Sequence, residues 1–411
     1  RTLVDDDDDD VVGLLSDVLE HASQDAGRPP RTPEDLVHLA FTGGTTGTPK
    51  AVRVLHRNVT ANITMIMAWR FASRLRRGPR GLLRLEPIET LPEPPMVPGR
   101  EVTVNVAPLF HVHALISTLG FLVGGMTVVL VGRFRPAHFV ETVQRREATY
   151  ITGSPPMFLA LAAEAQRSGA TMPSVRLAMS GAAPLTAEKA DRIALAFPHA
   201  RIGEGYGMTE ATCQVTGSPV TPGSLTKIGT VGLPMPDMEV QLREPDGRTP
   251  VPDGQEGEIW LRGPLVTDGY QDAPEQTAAQ FVDGWLRTGD IGVLDDDGFL
   301  TIRDRAKDML IYKGYNVYPR ELEGVLSGHQ DVARAAVVGR PHPDAGDLPV
   351  AFVVPEEGRD LDAEALMAWV AERVTPYQRV RQVVVVDDLP TSSAGKILKN
   401  ELRAMLEGRR G

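Results

Sequence analysis

The sequence predicts an α/β fold: a large N-terminal layered region that includes a small β-barrel-like subdomain, then a small, mobile C-terminal α+β domain. Three observations predict it. Short β-branched runs at residues 102–106, 127–131 and 175–179 alternate with helical patterns at 136–146 and 155–166, the rhythm of parallel strands joined by crossover helices. From Gly229 to Ile302 the chain turns dense in Gly, Pro and Asp, with short strands at 239–242 and 258–262; this reads as a smaller antiparallel sheet or barrel beside the layers. Beyond Lys307, a helix at 321–326, strands at 332–338 and 350–354, and a helix at 363–374 form a compact unit of their own. The expected domains are therefore 1–306 and 307–411.

Composition narrows the field. A chain of 411 residues with 42% hydrophobic content buries the cores of two or three domains, which excludes disorder as its main state. The 43 Lys and Arg against 54 Asp and Glu leave a net charge of -11. That balance gives no broad positive field for nucleic acid, although local arginines can still hold a small anion. Cys213 is the one cysteine; it can form no internal disulfide and has no zinc-ligand spacing around it, which suits a reducing cytoplasm.

The chain opens straight into Asp5–Asp10, a solvated acidic stretch rather than the apolar segment of a signal peptide. Residues 114–131 are 18 in number and uncharged, at the lower limit for a membrane span. Gly120, Gly124 and Gly125 break that run into a helix, a turn and a strand, so a buried αβ unit is expected instead. Residues 70–100, rich in Arg, Pro and Gly, read as a solvated surface loop.

The most informative stretch is FTGGTTGTPK at residues 41–50, between apolar runs at 36–40 and 51–55. Gly43, Gly44 and Gly47 permit backbone angles closed to other residues, so successive N–H groups can face one anion. Thr42, Thr45, Thr46 and Thr48 add hydroxyls and Lys50 a positive charge. Such a loop suits a polyphosphate. It is not the Gly-Lys-Ser/Thr phosphate loop, because Pro49 precedes Lys50.

In this loop the sequence resembles the adenylate-forming (AMP-binding) superfamily of acyl-CoA synthetases, luciferases and peptide-synthetase adenylation domains, in which Gly43 is often serine and Ala51 often glycine. Further stretches carry the resemblance in order: PLFHVHAL at 108–115, SGAAPL at 180–185, GYGMTEAT at 205–212, RTGDIG at 287–292, DRAKDMLIYKGYNVYPRELE at 304–323 and SAGKIL at 393–398.

The resemblance implies ATP, Mg²⁺ and CoA as co-reactants of a carboxylic acid, most readily a fatty acid. ATP gives the carboxylate an AMP leaving group, with release of pyrophosphate, and CoA then takes the acyl group. Lys396 is implied as the catalytic cation, stabilising charge that grows on the α-phosphate oxygens. Glu210 and Thr45 are implied for Mg²⁺. Tyr206 is implied to stack on adenine, with Gly181, Ala182, Ala183, Gly205, Gly207, Met208 and Thr209 around the nucleotide. Asp290 would accept from the ribose hydroxyls, with Ile302 nearby, and Arg305 would reach ribose or phosphate oxygens. His111, ahead of His113, would gate the acid, whose pocket is expected along residues 151–161, Met179 and 208–215.

Lys307 resembles the hinge position about which the C-terminal domain turns, presenting Lys313 and Gly314 to the thiol. Arg334, Arg340 and Arg379 are candidates for CoA's phosphates, and Gln378 stands where lysine is frequent. Members of the family carry a whole subdomain before the phosphate loop, whereas forty residues precede Phe41; a shortened acid-binding wall is therefore expected. Two other readings stay open: an acyl-AMP ligase that loads a carrier protein, and a nucleotide-binding protein without catalysis.

Overall fold

A computed structural model describes residues 2–4, 31–42, 49–78, 83–88, 95–181, 185–245, 247, 249–391 and 397–408. Among these, eight strands form the main sheet. Its centre is parallel: Val102–Asn105 pairs with Thr127–Leu130 and with Tyr150–Gly153, and Leu177–Ser180 joins Tyr150–Gly153 to Arg201–Met208. Helices Val112–Val123, Pro136–Arg145, Pro155–Ser168 and Ala187–Ala196 supply the connections a parallel sheet requires. The sheet then turns antiparallel through Cys213–Gly217 and Leu233–Pro234.

Val128, Val129 and Tyr150 are completely buried because both faces of the sheet are covered, and their continuous apolar pattern follows from that. The 114–131 run divides as expected. The Val112–Val123 helix ends at Gly124, Gly125 turns with φ 75° and the Thr127–Leu130 strand follows. Among the described residues no helix is long and apolar enough to cross a membrane.

The second sheet links Glu239–Arg243, Gly257–Arg262, Phe281–Val282, Trp285–Leu294 and Leu300–Arg305 by antiparallel pairing. The third holds Leu310–Tyr312, Tyr315–Val317, Val332–His342, Gly346–Pro355 and Gln382–Val385, with helices Pro319–Leu326, Ala363–Ala371 and Lys399–Gly408 beside it. The two sheets separate between Arg305 and Leu310.

One expectation is corrected. The described residues of the 70–100 segment are not a solvated loop: Ser73–Arg77 and Leu83–Pro87 pair antiparallel, half-buried Leu75 and Leu85 pack on the main core, and Met96 is 1% exposed. Alternation is the reason. Leu75 and Leu85 face each other across the strands while Arg74 and Arg76 face outward, a period of two masked by the number of arginines.

Candidate active site

The helix His56–Phe71 anchors the site through two buried asparagines. Asn58 accepts from the Leu55 N–H and donates to the carbonyls of Pro264 and Val266, while Asn62 donates at 2.6 Å to the Thr212 carbonyl. Buried amides held by such hydrogen bonds fix the backbone they touch. What they fix is the turn Thr209–Ala211 and the segment that faces it.

Glu210 sits in that turn, 7% exposed. Its carbonyl accepts from both the N–H and the hydroxyl of Thr267, and its Oε1 lies 2.9 Å from the Tyr270 hydroxyl. Burial, with the carboxylate alongside, pushes the Tyr270 phenol well above its usual range. Tyr270 therefore stays a donor. Over the same ring, 4.7 Å from its centroid, stands the Lys50 ammonium, a cation on an aromatic face. Lys50 opens the strand Lys50–Leu55 beside Thr42, whose hydroxyl approaches the Lys50 carbonyl at 3.5 Å. The two ends of the Gly/Thr loop thus stand beside the acid, while Gly43, Gly44, Thr45, Thr46, Gly47 and Thr48 lie outside the described residues.

Asp290 forms a second cluster. The Tyr206 hydroxyl donates to its Oδ2 at 2.6 Å and Arg305 Nε lies 3.4 Å from Oδ1. Register explains the pairing, since Asp290 and Arg305 are direct cross-strand partners, where opposite charges stabilise a sheet. Gly289, with φ 72°, lets the Asp290 N–H turn onto the Thr288 hydroxyl. Tyr206 thus holds Asp290 by its hydroxyl as well as offering a half-buried ring.

Gly207 is required by geometry. A Cβ there would lie 1.6 Å from the Cys213 carbonyl oxygen, at the bulge between the Arg201–Met208 and Cys213–Gly217 strands. Gly205 carries the strand past the Gln214 side chain, and Gly181 donates its N–H to the Gly153 carbonyl. Met208 is half-buried at the strand end and Thr209 opens the turn.

The other expected residues have these places. His111 caps the Val112–Val123 helix, its Nδ1 accepting from the His113 N–H at 3.3 Å. Ile302 packs on the core of the second sheet. Lys313 and Gly314, with φ 50° and 84°, form the two-residue turn between Leu310–Tyr312 and Tyr315–Val317, a geometry glycine favours; they lie on the third sheet, apart from Asp290. Lys307 follows the Arg305 strand, and burial first, then Arg305, lowers its pKa. Lys396, Ala182 and Ala183 lie outside the described residues. Tyr270, Thr267, Asn58 and Asn62 were missed. The signal for Tyr270 was a tyrosine after Gly269, whose φ of 121° marks a tight turn.

Three residues beyond Glu210, Cys213 belongs to a buried polar group. His113 Nε2 is 2.8 Å from the Thr152 hydroxyl and its Nδ1 3.9 Å from Cys213 Sγ. Burial, reinforced by Arg70 and His111, pushes His113 down to about 4, and burial pushes the Cys213 thiol up to about 12. Both are neutral at pH 7, and the thiol is no nucleophile.

Comparison with known proteins identifies the family. A model of AMP-binding enzymes matches residues 1–271, and one of the AMP-binding enzyme C-terminal domain matches 321–396. A 4-coumarate-CoA ligase 2 from Narcissus pseudonarcissus is 37% identical over 378 residues, covering 90% of this chain and 63% of the relative. The 4-coumarate–CoA ligase 2 of Oryza sativa subsp. japonica is 36% identical over 413 residues, 98% of this chain and 68% of its own length. The chain thus spans about 63% of the length of the first curated relatives it matches. Among solved structures, ATP-bound MatB from Rhodopseudomonas palustris superposes with a TM-score of 0.82 at 29% identity, over 96% of this chain and 72% of that one. The o-succinylbenzoate CoA synthetase of Bacillus subtilis in complex with AMP gives 0.78 at 26% identity, over 95% and 73%.

Proposed function

The chain belongs to the AMP-binding enzyme family, and on that premise we propose that it joins a carboxylic acid to CoA in two steps. The acid's oxygen attacks the α-phosphorus of ATP, giving acyl-AMP and pyrophosphate. The CoA sulfur then attacks the acyl carbon and AMP leaves. The observation that carries this reading is the pairing of two carboxylates with different surroundings: Asp290, held by Tyr206 and Arg305, and Glu210, held by Tyr270 beside Lys50.

Asp290 would exchange these contacts for the ribose diol, and Arg305 would turn its fork of donors to phosphate. Glu210 would hold Mg²⁺ together with phosphate oxygens. The residues fit that ion: Tyr270 engages only one oxygen of Glu210 among the described residues, and Mg²⁺ ordinarily takes one or two carboxylates, the rest being water and phosphate. When bound, the ion neutralises phosphate charge. Lys396 would complete the site after the C-terminal domain turns about Lys307.

The names of the curated relatives support a CoA acceptor and an aromatic acid. The fatty-acid expectation finds no support among them, so a compact aromatic acid is the substrate class proposed. Incubating the chain with ATP, Mg²⁺, CoA and a panel of aromatic, short-chain and long-chain acids, with mass-spectrometric detection of acyl-CoA and AMP, tests this. Thioester from the aromatic acids, reduced on the order of a hundredfold in Asp290→Ala, is expected. Thioester from long-chain acids alone contradicts the substrate class, and AMP without thioester points to another acceptor.

A further inference from the structure

Arg70 lies at the C-terminal end of the His56–Phe71 helix and is 3% exposed. A guanidinium so deep in a protein is ordinarily matched by a carboxylate, because an unpaired buried charge is strongly destabilising. Among the described residues Arg70 makes no ion pair. Nη2 donates to the Gln214 side-chain oxygen at 2.8 Å, the guanidinium lies 5.1 Å and 5.6 Å from the ring centroids of Tyr150 and Phe121, and Nη1 has no partner. The fully buried Tyr150 hydroxyl, beside Thr152, likewise finds no partner of proper geometry. Thr152 has its own contact with His113.

Among the described residues, Arg70 Nη1 and the hydroxyl of the tyrosine whose ring lies 5.1 Å from the guanidinium are thus left without an acceptor, Thr152 being the hydroxyl's neighbour. His113 and Cys213, which face the same group, are neutral at pH 7 and supply no counter-charge. Gln214 already gives its Nε2 hydrogen to the Thr216 carbonyl, so it contributes a further acceptor only to Arg70. The missing element is an anion with two acceptor oxygens, the geometry that matches a guanidinium fork.

Position says which anion. Gln214 follows Glu210 by four residues around the turn Thr209–Ala211, so the arginine's partner stands at most about 13 Å from the adenylation centre at some 3.3 Å per residue. A six- to eight-atom body between two carboxyl groups fits within that limit. His113, in the first turn of the Val112–Val123 helix, lines the same group, while Leu109 and Phe110 just before it are 43% and 78% exposed, the side from which an acid would enter. We propose that Arg70, with Tyr150, binds a second carboxylate at the far end of the acid, so that the substrate is a dicarboxylic acid activated at one end and held at the other. This rests on the ligase reading and narrows its substrate.

The test compares matched acids that differ only at the far end, 4-carboxycinnamic against 4-methylcinnamic acid and suberic against octanoic acid, by acid-dependent pyrophosphate release in wild type, Arg70→Met and Arg70→Lys. The wild type favours each diacid at least tenfold in kcat/KM. Arg70→Met reverses the preference, losing about a hundredfold on diacids while keeping its rate on methyl-ended acids, and Arg70→Lys keeps the direction at a reduced ratio.

Stability gives a readout that a structural arginine would not. Replacing an unpaired buried charge by an apolar side chain of similar length raises the ligand-free Tm, and diacid raises the Tm of wild type but not of Arg70→Met. A wild type preferring methyl-ended acids, or an Arg70→Met variant equally impaired on both acids with a lowered Tm, overturns the proposal. A wild type that activates no acid but whose Tm still rises with diacid through Arg70 keeps this site and refutes the ligase reading. No shift in either protein refutes the site.

Discussion

Glu210 and Asp290 differ in what already holds them, and the difference sets what each can do. Tyr270 takes one oxygen of Glu210, and among the described residues the other accepts no hydrogen bond, as a metal-binding carboxylate requires. Asp290 has a partner on each oxygen, the arrangement of an acceptor waiting to exchange one pair of donors for another. Tyr270→Phe removes the donor and keeps the ring under Lys50. A bond to a charged group is worth about 1.5–3 kcal/mol, so adenylation should fall roughly tenfold or more, with the Tm changed little; steady-state kinetics of pyrophosphate release check this. The motifs made Glu210, Asp290 and Arg305 legible because each stands in a short, distinctive string. Tyr270 was not legible, because its role depends on a segment sixty residues from Glu210 returning beside the strand Lys50–Leu55, where it bridges Val52.

At the scale of the element, the bulged hairpin of Arg201–Met208 and Cys213–Gly217 aims the site. Thr212 and Cys213 adopt positive φ, 47° and 87°, and leave room for the next strand only if residue 207 has no side chain. Gly207→Ala therefore forces the bulge apart, at roughly 3 kcal/mol, and should lower both the Tm and adenylation, whereas Gly223→Ala, where nothing lies within 4 Å although φ is +79°, should cost only backbone strain and leave adenylation intact. The parallel strands and their helices were legible from uninterrupted β-branched runs alternating with helical spacing. The Ser73–Arg77 and Leu83–Pro87 pair was hidden, since its outward face carries arginines and only Leu75 and Leu85 mark the inward one.

For the whole molecule, buried carboxylates tie the main sheet to its neighbours. Glu204 accepts from the N–H groups of Leu185 and Gly229, and burial pushes it up to about 7, against those bonds and the opposing pull of Arg320. Its folded pKa is raised, so the folded chain binds a proton that the unfolded chain has released between about pH 4.5 and 7, and stability falls as pH rises through that window. The slope of Tm against pH should be shallower in Glu204→Gln than in wild type over that interval and parallel to it above pH 8. The C-terminal unit meets the second sheet through Tyr318, which donates to Glu256 at 2.7 Å, and Arg303, 3.1 Å from Glu321. Such half-exposed contacts are compatible with the domain turning that the ligase reading requires.

That reading rests on formation of an acyl-adenylate at the Asp290 and Glu210 clusters. The most direct measurement is acid-dependent exchange of labelled pyrophosphate into ATP, which reports the first step without CoA. Exchange that requires an added carboxylic acid and falls about a hundredfold in Glu210→Gln is the predicted result. Nucleotide binding by a folded chain with no exchange for any acid, or exchange unchanged in Glu210→Gln, would contradict the account.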